Sequence, residues 1–321
     1  VTVARTDQRV DRMTVAVDRA ADKVVLLPMD LAAARQAVAA LEPDLLFYPD
    51  LGMEPLTYLM AFARLAPVQM TTLGHPVTTG IPNIDGFLSG ALVEPQGAQA
   101  HYSEKLWLTP SLPMPVDLPP LPKSRPSKAA IGLDDETPVY GCPQSLFKFH
   151  PDFDEIVLGL LDRDPASRLV LIKGREGWLD ALLARWERRK PGVSNQIVAV
   201  NPMSRQNYVA LMALCDVALE TRPFGGGNSV VEALAAGTPV VTWPARFARG
   251  RCAKSVLETM GLDELVVDGA AAYIDLAHDL AHNAGSRRAM TDRILAARDR
   301  LVRPAEVTAE IARVFEAALG L

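Results

Sequence analysis

Short runs of β-branched and aliphatic residues alternate with longer amphipathic segments along most of the chain, and no other feature constrains the fold as strongly. In the first third, strand-like runs occur at KVVLLP (23–28), VQMTTL (68–73) and GFLSGAL (86–92), and an Ala-rich helical segment follows the first of them. Because helices between consecutive strands lead to parallel sheets that are covered on both faces, this pattern predicts an α/β fold.

The same alternation returns in the rest of the chain. Five further runs have the length and composition of buried strands: PVYGCP (138–143), RLVLIKG (168–174), QIVAVN (196–201), DVALE (216–220) and PVVTW (239–243). Ligands of open parallel sheets bind beyond the carboxyl ends of the strands. The loops that follow these runs are therefore the candidate binding loops.

A proline-rich stretch separates the two sets of strands. Six of the 25 prolines lie between 113 and 126, and proline fixes φ and lacks an N–H, so this stretch is predicted to be an extended linker. We predict two Rossmann-like lobes, 1–119 and 120–302, with a cleft between them. The helix at about 303–321 is expected to pack back on the first lobe.

Composition excludes several classes of protein. A hydrophobic share of 49% over 321 residues excludes a disordered chain, and a net charge of −5 argues against binding to nucleic acid by bulk electrostatics. No uncharged apolar run approaches the ~18 residues that a membrane span needs. Cys142, Cys215 and Cys252 have neither a disulfide framework nor zinc-site spacing, so we expect a cytoplasmic location.

The strongest local motif is the glycine-rich segment 224–229, FGGGNS, which follows a predicted strand and opens a helix. Glycines let the backbone approach a ligand closely, and a helix N-terminus favours anions, so the motif predicts phosphate binding. Glu232, one turn further on, is a candidate acceptor for ribose hydroxyls. The alternative is a plain strand–helix turn capped by asparagine. The candidate phosphate-binding residues are Gly226, Gly227, Asn228 and Ser229.

Other strand-end loops carry weaker signals. Lys148 lies in the loop after the first strand of the second set, where a lysine can neutralise the charge of a leaving diphosphate; the alternative is a solvated surface lysine. Arg175 and Arg205 lie in two further loops and are candidate nucleotide contacts. His75, in the Gly- and Pro-rich loop after VQMTTL, is a candidate base or hydrogen-bond donor, with a purely structural histidine as the alternative.

Two further patterns are weaker as functional sites. The D-x-D triplets at 152–154 and 162–164 lie at a helix start and a helix end rather than at a strand end, so we predict no metal site. A basic cluster follows PVVTW, and it is a solvated helix face or the border of a diphosphate site. Its members are Arg246, Arg249, Arg251 and Lys254.

Four segments, in this order, resemble the catalytic region of the family 41 glycosyltransferases. They are PVQMTTLGHPVTTGIPNID, HYSEKLWLTP, QSLFKFHP and ALCDVALETRPFGGGNSVVEALAAGTPVVT. The family includes the O-linked N-acetylglucosamine transferases, the SPINDLY proteins and bacterial N-glucosyltransferases. The resemblance runs from about Leu41 to about Ala281 and implies the two-lobed GT-B fold.

The resemblance also implies an activity. It is the inverting transfer of GlcNAc or Glc from a UDP-sugar to a Ser/Thr or Asn side chain of a protein or peptide acceptor, with no metal or other cofactor. By resemblance Lys148 matches the lysine that stabilises the leaving diphosphate, and His75 matches the first histidine of the N-glucosyltransferase loop. Asn228 and Ser229 match residues at the diphosphate, and Glu232 matches the acid on the ribose.

The sequence departs from the family pattern at several points. Gly80 and Gly227 stand where relatives carry histidines, and Arg175 stands where the N-glucosyltransferases have glutamine. The family's first β–α unit on the acceptor side has no counterpart that we recognise here. Two other functions therefore stay open: a non-catalytic or partner-dependent nucleotide-binding module, and a UDP-sugar 2-epimerase on the same two-lobed fold.

Overall fold

The computed structural model describes residues 1–6, 10–121 and 126–321, so Pro122 of the predicted linker lies outside the described residues. The chain divides into two units. The lobe boundaries at 119 and 302, which were drawn from the sequence, stay a prediction. The first unit comprises Val1–Gly90, Gln96–Thr109 and Ala309–Leu321, and the second comprises Ala91–Pro95 and Pro110–Thr308.

Strands and helices follow one another in the alternation that the sequence predicts. The strands are β1 (Thr2–Arg5), β2 (Lys23–Leu26), β3 (Leu45–Tyr48), β4 (Val68–Thr72), β5 (Gly86–Gly90), β6 (Lys105–Thr109), β7 (Val139–Cys142), β8 (Arg168–Ile172), β9 (Ile197–Val200), β10 (Val217–Leu219) and β11 (Val240–Val241). The helices are α1 (Arg12–Ala20), α2 (Leu31–Ala39), α3 (Pro55–Met60), α4 (Pro151–Arg163), α5 (Trp178–Glu187), α6 (Arg205–Leu214), α7 (Asn228–Ala235), α8 (Cys252–Met260), α9 (Ala270–His282), α10 (Ala284–Ala297) and α11 (Pro304–Leu319).

In the first unit a parallel sheet in the order β3-β4-β5-β6 forms the core. Met70 and Leu88 are fully buried and pack with Val314 of α11. The rings of Phe47 and Phe315 lie 5.1 Å apart between their centroids, so aromatic contact adds to the burial of this helix. The last part of α11 is therefore held by apolar packing against the sheet.

The N-terminal segment differs from the sequence prediction. Strand β1 and helix α1 were not predicted, and β2 pairs with β1 as a separate two-stranded parallel sheet. The signal that marks α1 is a capping box. The Asp11 carboxylate accepts from the backbone N–H of Thr14 at 2.9 Å, and the Thr14 hydroxyl accepts from the backbone N–H of Asp11 at 3.3 Å.

The second unit is built on an all-parallel sheet in the order β11-β10-β7-β8-β9. Its central strands are buried on both faces, which explains their continuous apolar sequences. Because all five strands run in the same direction, the loops after their carboxyl ends lie along one edge of the sheet. These loops contain the glycine-rich motif and Lys148.

The carboxylate of Asp154, in the first of the D-x-D triplets, is part of the core of this unit. It is 1% exposed, and it accepts from Arg185 Nε at 2.8 Å, from Arg185 Nη2 at 2.7 Å and from the indole N–H of Trp186 at 2.7 Å. Asp152, by contrast, is exposed at the start of α4. Asp154 therefore anchors α5 against α4.

Breaking this buried ion pair is expected to destabilise the protein. Asp154→Asn leaves the half-buried Arg185 without its charged partner, and we expect the free energy of unfolding to fall by about 3 kcal/mol. Asp152→Asn is the matched control, with an expected change within about 0.5 kcal/mol. Urea unfolding measures both. Equal effects of the two substitutions would show that Asp154 has no special structural role.

A search of the described residues finds no helix with both the length and the hydropathy of a membrane span.

Candidate functional site

The glycine-rich loop joins β10 to α7 at the carboxyl edge of the second unit's sheet. A Cβ atom at Gly225 would overlap the Glu220 carboxylate, and one at Gly226 would overlap the side chains of Gln144 and Ser229. Both positions therefore need glycine because neighbouring side chains approach the backbone closely. Gly227 precedes the first residue of α7, Asn228, which is exposed.

Lys148 reaches this loop from the loop after β7. Its Nζ donates to the carbonyl oxygen of Gly225 at 2.7 Å and lies 4.3 Å from the centroid of the Phe224 ring. Burial lowers the pKa of Lys148 below its ordinary value, while the nearby Glu220 opposes this shift. The structure thus brings the predicted leaving-group lysine to the predicted phosphate loop.

A second contact ties the same two loops together. The buried Gln144 donates from Nε2 to Ser229 Oγ at 2.9 Å, and its Oε1 lies 3.5 Å from Lys148 Nζ. Sequence reasoning missed Gln144. Its place two residues after the strand β7, in the same loop as Lys148, is the signal that could have found it.

Glu220 is a second residue that sequence reasoning missed. Its carboxylate is buried beneath the glycine-rich loop and accepts from the backbone N–H of Gly226 at 2.8 Å. The Tyr273 hydroxyl donates to the Val241 carbonyl at 2.8 Å and accepts from the backbone N–H of Glu220 at 2.7 Å, which fixes the end of β10. Burial raises the pKa of Glu220 to about 7, against the opposing charge of Lys148.

The two predicted nucleotide contacts Arg205 and Glu232 form an ion pair. Arg205 Nε donates to Glu232 Oε1 at 2.7 Å, and Arg205 Nη2 donates to the carbonyl oxygen of Asp117 at 2.7 Å. The Glu232 side chain lies on α7, one turn after Asn228, and is mostly buried. Arg205 therefore holds the carboxylate that is the candidate ribose acceptor.

Arg175 lies in the exposed loop after β8. Its guanidinium carbon is 5.5 Å from the centroid of the Trp178 ring, at the start of α5. Trp178 in turn meets Phe147 edge-to-face, with centroids 5.8 Å apart, and Phe147 is 61% exposed. Arg175 therefore lies beside an aromatic pair that borders the Lys148 loop, and its contact with a nucleotide stays a prediction.

His75 belongs to the first unit. Its half-buried ring packs against Gly52, and its carbonyl oxygen accepts from the backbone N–H of Val77 at 2.8 Å. The same loop is anchored by Glu104, whose carboxylate accepts from the Thr78 hydroxyl and the Thr79 backbone N–H, each at 2.7 Å. Burial alone would raise the pKa of Glu104, but these hydrogen bonds hold it below its ordinary value.

Metal binding was not expected from the sequence. In the part of the chain that the structure describes, no group of three or more His, Cys, Asp or Glu side chains is arranged to hold a metal ion. The lack of a metal requirement stays a prediction.

Comparison with known proteins identifies the family. The model of glycosyl transferase family 41 matches residues 123–303, which is more than half of the chain. The chain belongs to glycosyl transferase family 41. The resemblance that was recognised from the four sequence segments is therefore confirmed.

Curated relatives within the family are longer proteins. The tomato (Solanum lycopersicum) SPINDLY protein, named as a probable UDP-N-acetylglucosamine–peptide N-acetylglucosaminyltransferase, is 30% identical over 227 residues. That match covers 70% of this chain and 24% of the relative. A UDP-glucose:protein N-β-glucosyltransferase of Actinobacillus pleuropneumoniae is 27% identical over 252 residues, with 75% of this chain and 39% of the relative covered.

Solved structures confirm the GT-B fold that was predicted from the sequence. A mutant O-GlcNAc transferase of Thermobaculum terrenum matches 99% of this chain and 61% of its own, with 27% identity and a TM-score of 0.86. HepE of Anabaena, solved with UDP, matches 98% of this chain and 99% of its own with a TM-score of 0.65. Its identity of 12% shows likeness of fold alone.

The buried Glu220 predicts a pH-dependent stability. Its folded pKa of about 7 lies above the ordinary value of 4.5, so the protonated form is favoured in the folded protein. Glu220 therefore contributes to the free energy of unfolding in full below pH 4.5. This stabilisation is lost as the pH rises through about 7, a change on the order of 3 kcal/mol.

The test compares Glu220→Gln with the wild type. The glutamine keeps an acceptor for the Gly226 N–H but cannot ionise, so its melting temperature should fall less than that of the wild type between pH 5 and about 8. Glu176→Gln, at an exposed position after β8, is the matched control and should follow the wild type. Parallel pH profiles for Glu220→Gln and the wild type would contradict the raised pKa.

Proposed function

We propose that this chain is a glycosyltransferase that transfers a sugar from a UDP-sugar to a side chain of a protein acceptor. The transfer inverts the anomeric centre and needs no metal ion. The observation that carries the proposal is the hydrogen bond between Lys148 Nζ and the Gly225 carbonyl, because it places a cation at the glycine-rich start of α7 in a member of family 41. The names of the curated relatives and of the Thermobaculum structure support the substrate class.

The donor site would be formed by three features. The free backbone N–H groups at the start of α7, with Asn228 and Ser229, would bind the diphosphate oxygens. Lys148 would offset the negative charge that develops on the departing nucleotide. Glu232, held by Arg205, would accept hydrogen bonds from the ribose hydroxyls.

The cationic form of Lys148 is the one that suits this role. Burial favours the neutral form of Lys148, and the buried Glu220 favours the charged form. A bound diphosphate would add negative charge beside Nζ and would, like Glu220, oppose this lowering of the pKa of Lys148. We therefore expect Lys148 to be cationic in the complex with the donor. His75 is proposed to face the donor sugar or the acceptor.

Lys148→Ala is expected to lower the turnover of sugar transfer by about a hundred- to thousandfold, because one preorganised electrostatic contact to the leaving group is lost. UDP binding should stay measurable by calorimetry. The matched control is Lys173→Ala, an exposed lysine after the neighbouring strand β8, which should keep its turnover. The assay follows transfer from a radiolabelled UDP-sugar to protein. Unchanged turnover in Lys148→Ala would exclude the proposed role.

The same donor incubated without any acceptor separates transfer from epimerisation. A transferase returns the UDP-sugar unconverted apart from slow hydrolysis, whereas a 2-epimerase converts it. UDP binding without transfer to any protein would favour the nucleotide-binding module.

Glu232→Gln is expected to weaken UDP binding by about tenfold, because a charged acceptor for two ribose hydroxyls is replaced by a neutral one. The effect should be smaller for dUDP, which lacks the 2′-hydroxyl. Calorimetric titration of the wild type and the variant with both nucleotides measures the difference. An equal loss for UDP and dUDP would assign Glu232 a structural role through Arg205 rather than a contact with the 2′-hydroxyl.

A further inference from the structure

The basic cluster after β11 separates into two groups in the structure. Arg251 donates from Nε to the Val93 carbonyl at 2.7 Å, and Lys254 pairs with Glu258 at 2.5 Å, so both are used within the fold. Within the described residues, the side chains of Arg246 and Arg249 make no such contact. Their guanidinium carbons lie 5.2 and 4.8 Å from the centroid of the Phe247 ring.

A third arginine lies in the neighbouring loop. Arg222 follows β10, and its guanidinium carbon lies 3.9 Å from the centroid of the Trp243 ring. Its Nε is buried and has no hydrogen-bond partner among the described residues. We call Arg222, Trp243, Arg246, Phe247 and Arg249 the arginine surface.

Backbone contacts hold the two loops of the arginine surface together. The N–H of Gly225 donates to the carbonyl oxygen of Arg249 at 2.9 Å, and a Cβ at Gly250 would overlap the carbonyl oxygen of Pro223. Because Gly225 also accepts from Lys148, the arginine surface adjoins the candidate donor site directly.

The arginine surface lacks acidic partners. In the described part of the chain, the side chains of Arg222, Arg246 and Arg249 make no hydrogen bond and no ion pair, whereas several other arginines have carboxylate partners. Such pairs include Arg64–Asp85, Arg185–Asp154 and Arg205–Glu232. The net charge of the whole chain is −5, so this concentration of unpaired positive charge is a local feature.

A guanidinium stacked on an aromatic ring keeps its N–H edge available and matches the two oxygens of a carboxylate or a phosphate. The donor diphosphate already has Lys148 and the start of α7 in the proposed site. The excess positive charge beside that site therefore fits a second anionic group on the other substrate. The half-buried rings of Trp243 and Phe247 add apolar area that suits a peptide.

We infer that the arginine surface binds an acidic segment of the acceptor polypeptide, with Asp or Glu side chains near the residue that receives the sugar. The identification of this segment as the acceptor rests on the proposed function. The binding of an acidic peptide to the arginine surface does not depend on the proposed function, and this binding can be measured without any transfer reaction.

The probe is a fluorescein-labelled peptide in which a central serine is flanked by Asp and Glu, compared with the same peptide carrying Asn and Gln instead. Fluorescence anisotropy with the 321-residue chain should show at least about tenfold tighter binding of the acidic peptide, with an affinity that falls as salt rises. Arg222→Gln and the double variant Arg246→Gln/Arg249→Gln should each lose about tenfold in affinity for it. Arg188→Gln, an exposed arginine at the end of α5, is the matched control and should bind like the wild type.

Some outcomes would overturn the inference, and one would contradict the proposed function alone. Equal affinity for the acidic and neutral peptides, or unchanged affinity in both arginine variants, excludes recognition of acidic residues here. A loss of UDP affinity in these variants, with peptide binding unchanged, assigns the arginines to the donor. A wild-type chain that binds the acidic peptide but not UDP contradicts the proposed function, while the binding of an acidic peptide at the arginine surface stands. Circular dichroism of each variant shows that a lost affinity is not a lost fold.

Discussion

Two hydrogen bonds between neighbouring loops organise the candidate site, and the rest of it depends on them. Lys148 donates to the carbonyl of Gly225, and Gln144 donates to the hydroxyl of Ser229. Both are possible because β7 and β10 are adjacent parallel strands, so the loops that follow them leave the same edge of the sheet. The contacts fix the glycine-rich loop and position a lysine at the start of α7.

The same loops bury two ionisable side chains, Lys148 and Glu220, close to the backbone of the glycine-rich loop. Gly225 and Gly226 leave room for the carboxylate of Glu220 and the amide of Gln144. Burial opposes charge on both Lys148 and Glu220, and each partly restores the charge of the other. Under the proposed function, a bound diphosphate would add negative charge here and would favour the cationic form of Lys148.

Charge pairing also distinguishes charged side chains with partners inside the fold from those without such partners in the described residues. Asp154 looks like half of a metal motif in the sequence, but it is neutralised by Arg185 inside the core. Arg205 looks like a nucleotide contact, and it holds Glu232. Arg222 was not among the candidates from the sequence, yet it lies stacked on Trp243 without a carboxylate partner in the described residues. In each case, residues that are distant along the chain determine whether the charged side chain has a partner.

Local sequence patterns determined the order of strands and helices, the parallel α/β class and the glycine-rich opening of α7, because periodicity and backbone freedom are properties of adjacent residues. The positions of Lys148 and Glu232 after predicted strands, and then the family motifs, placed these two residues among the candidates. The separate β1–β2 pair, the roles of Gln144 and Glu220, and the pairing of Arg205 with Glu232 were decided only by the tertiary structure. The reason is physical: burial, hydrogen-bond partners and unpaired charge arise between residues that the fold, and not the chain order, brings together.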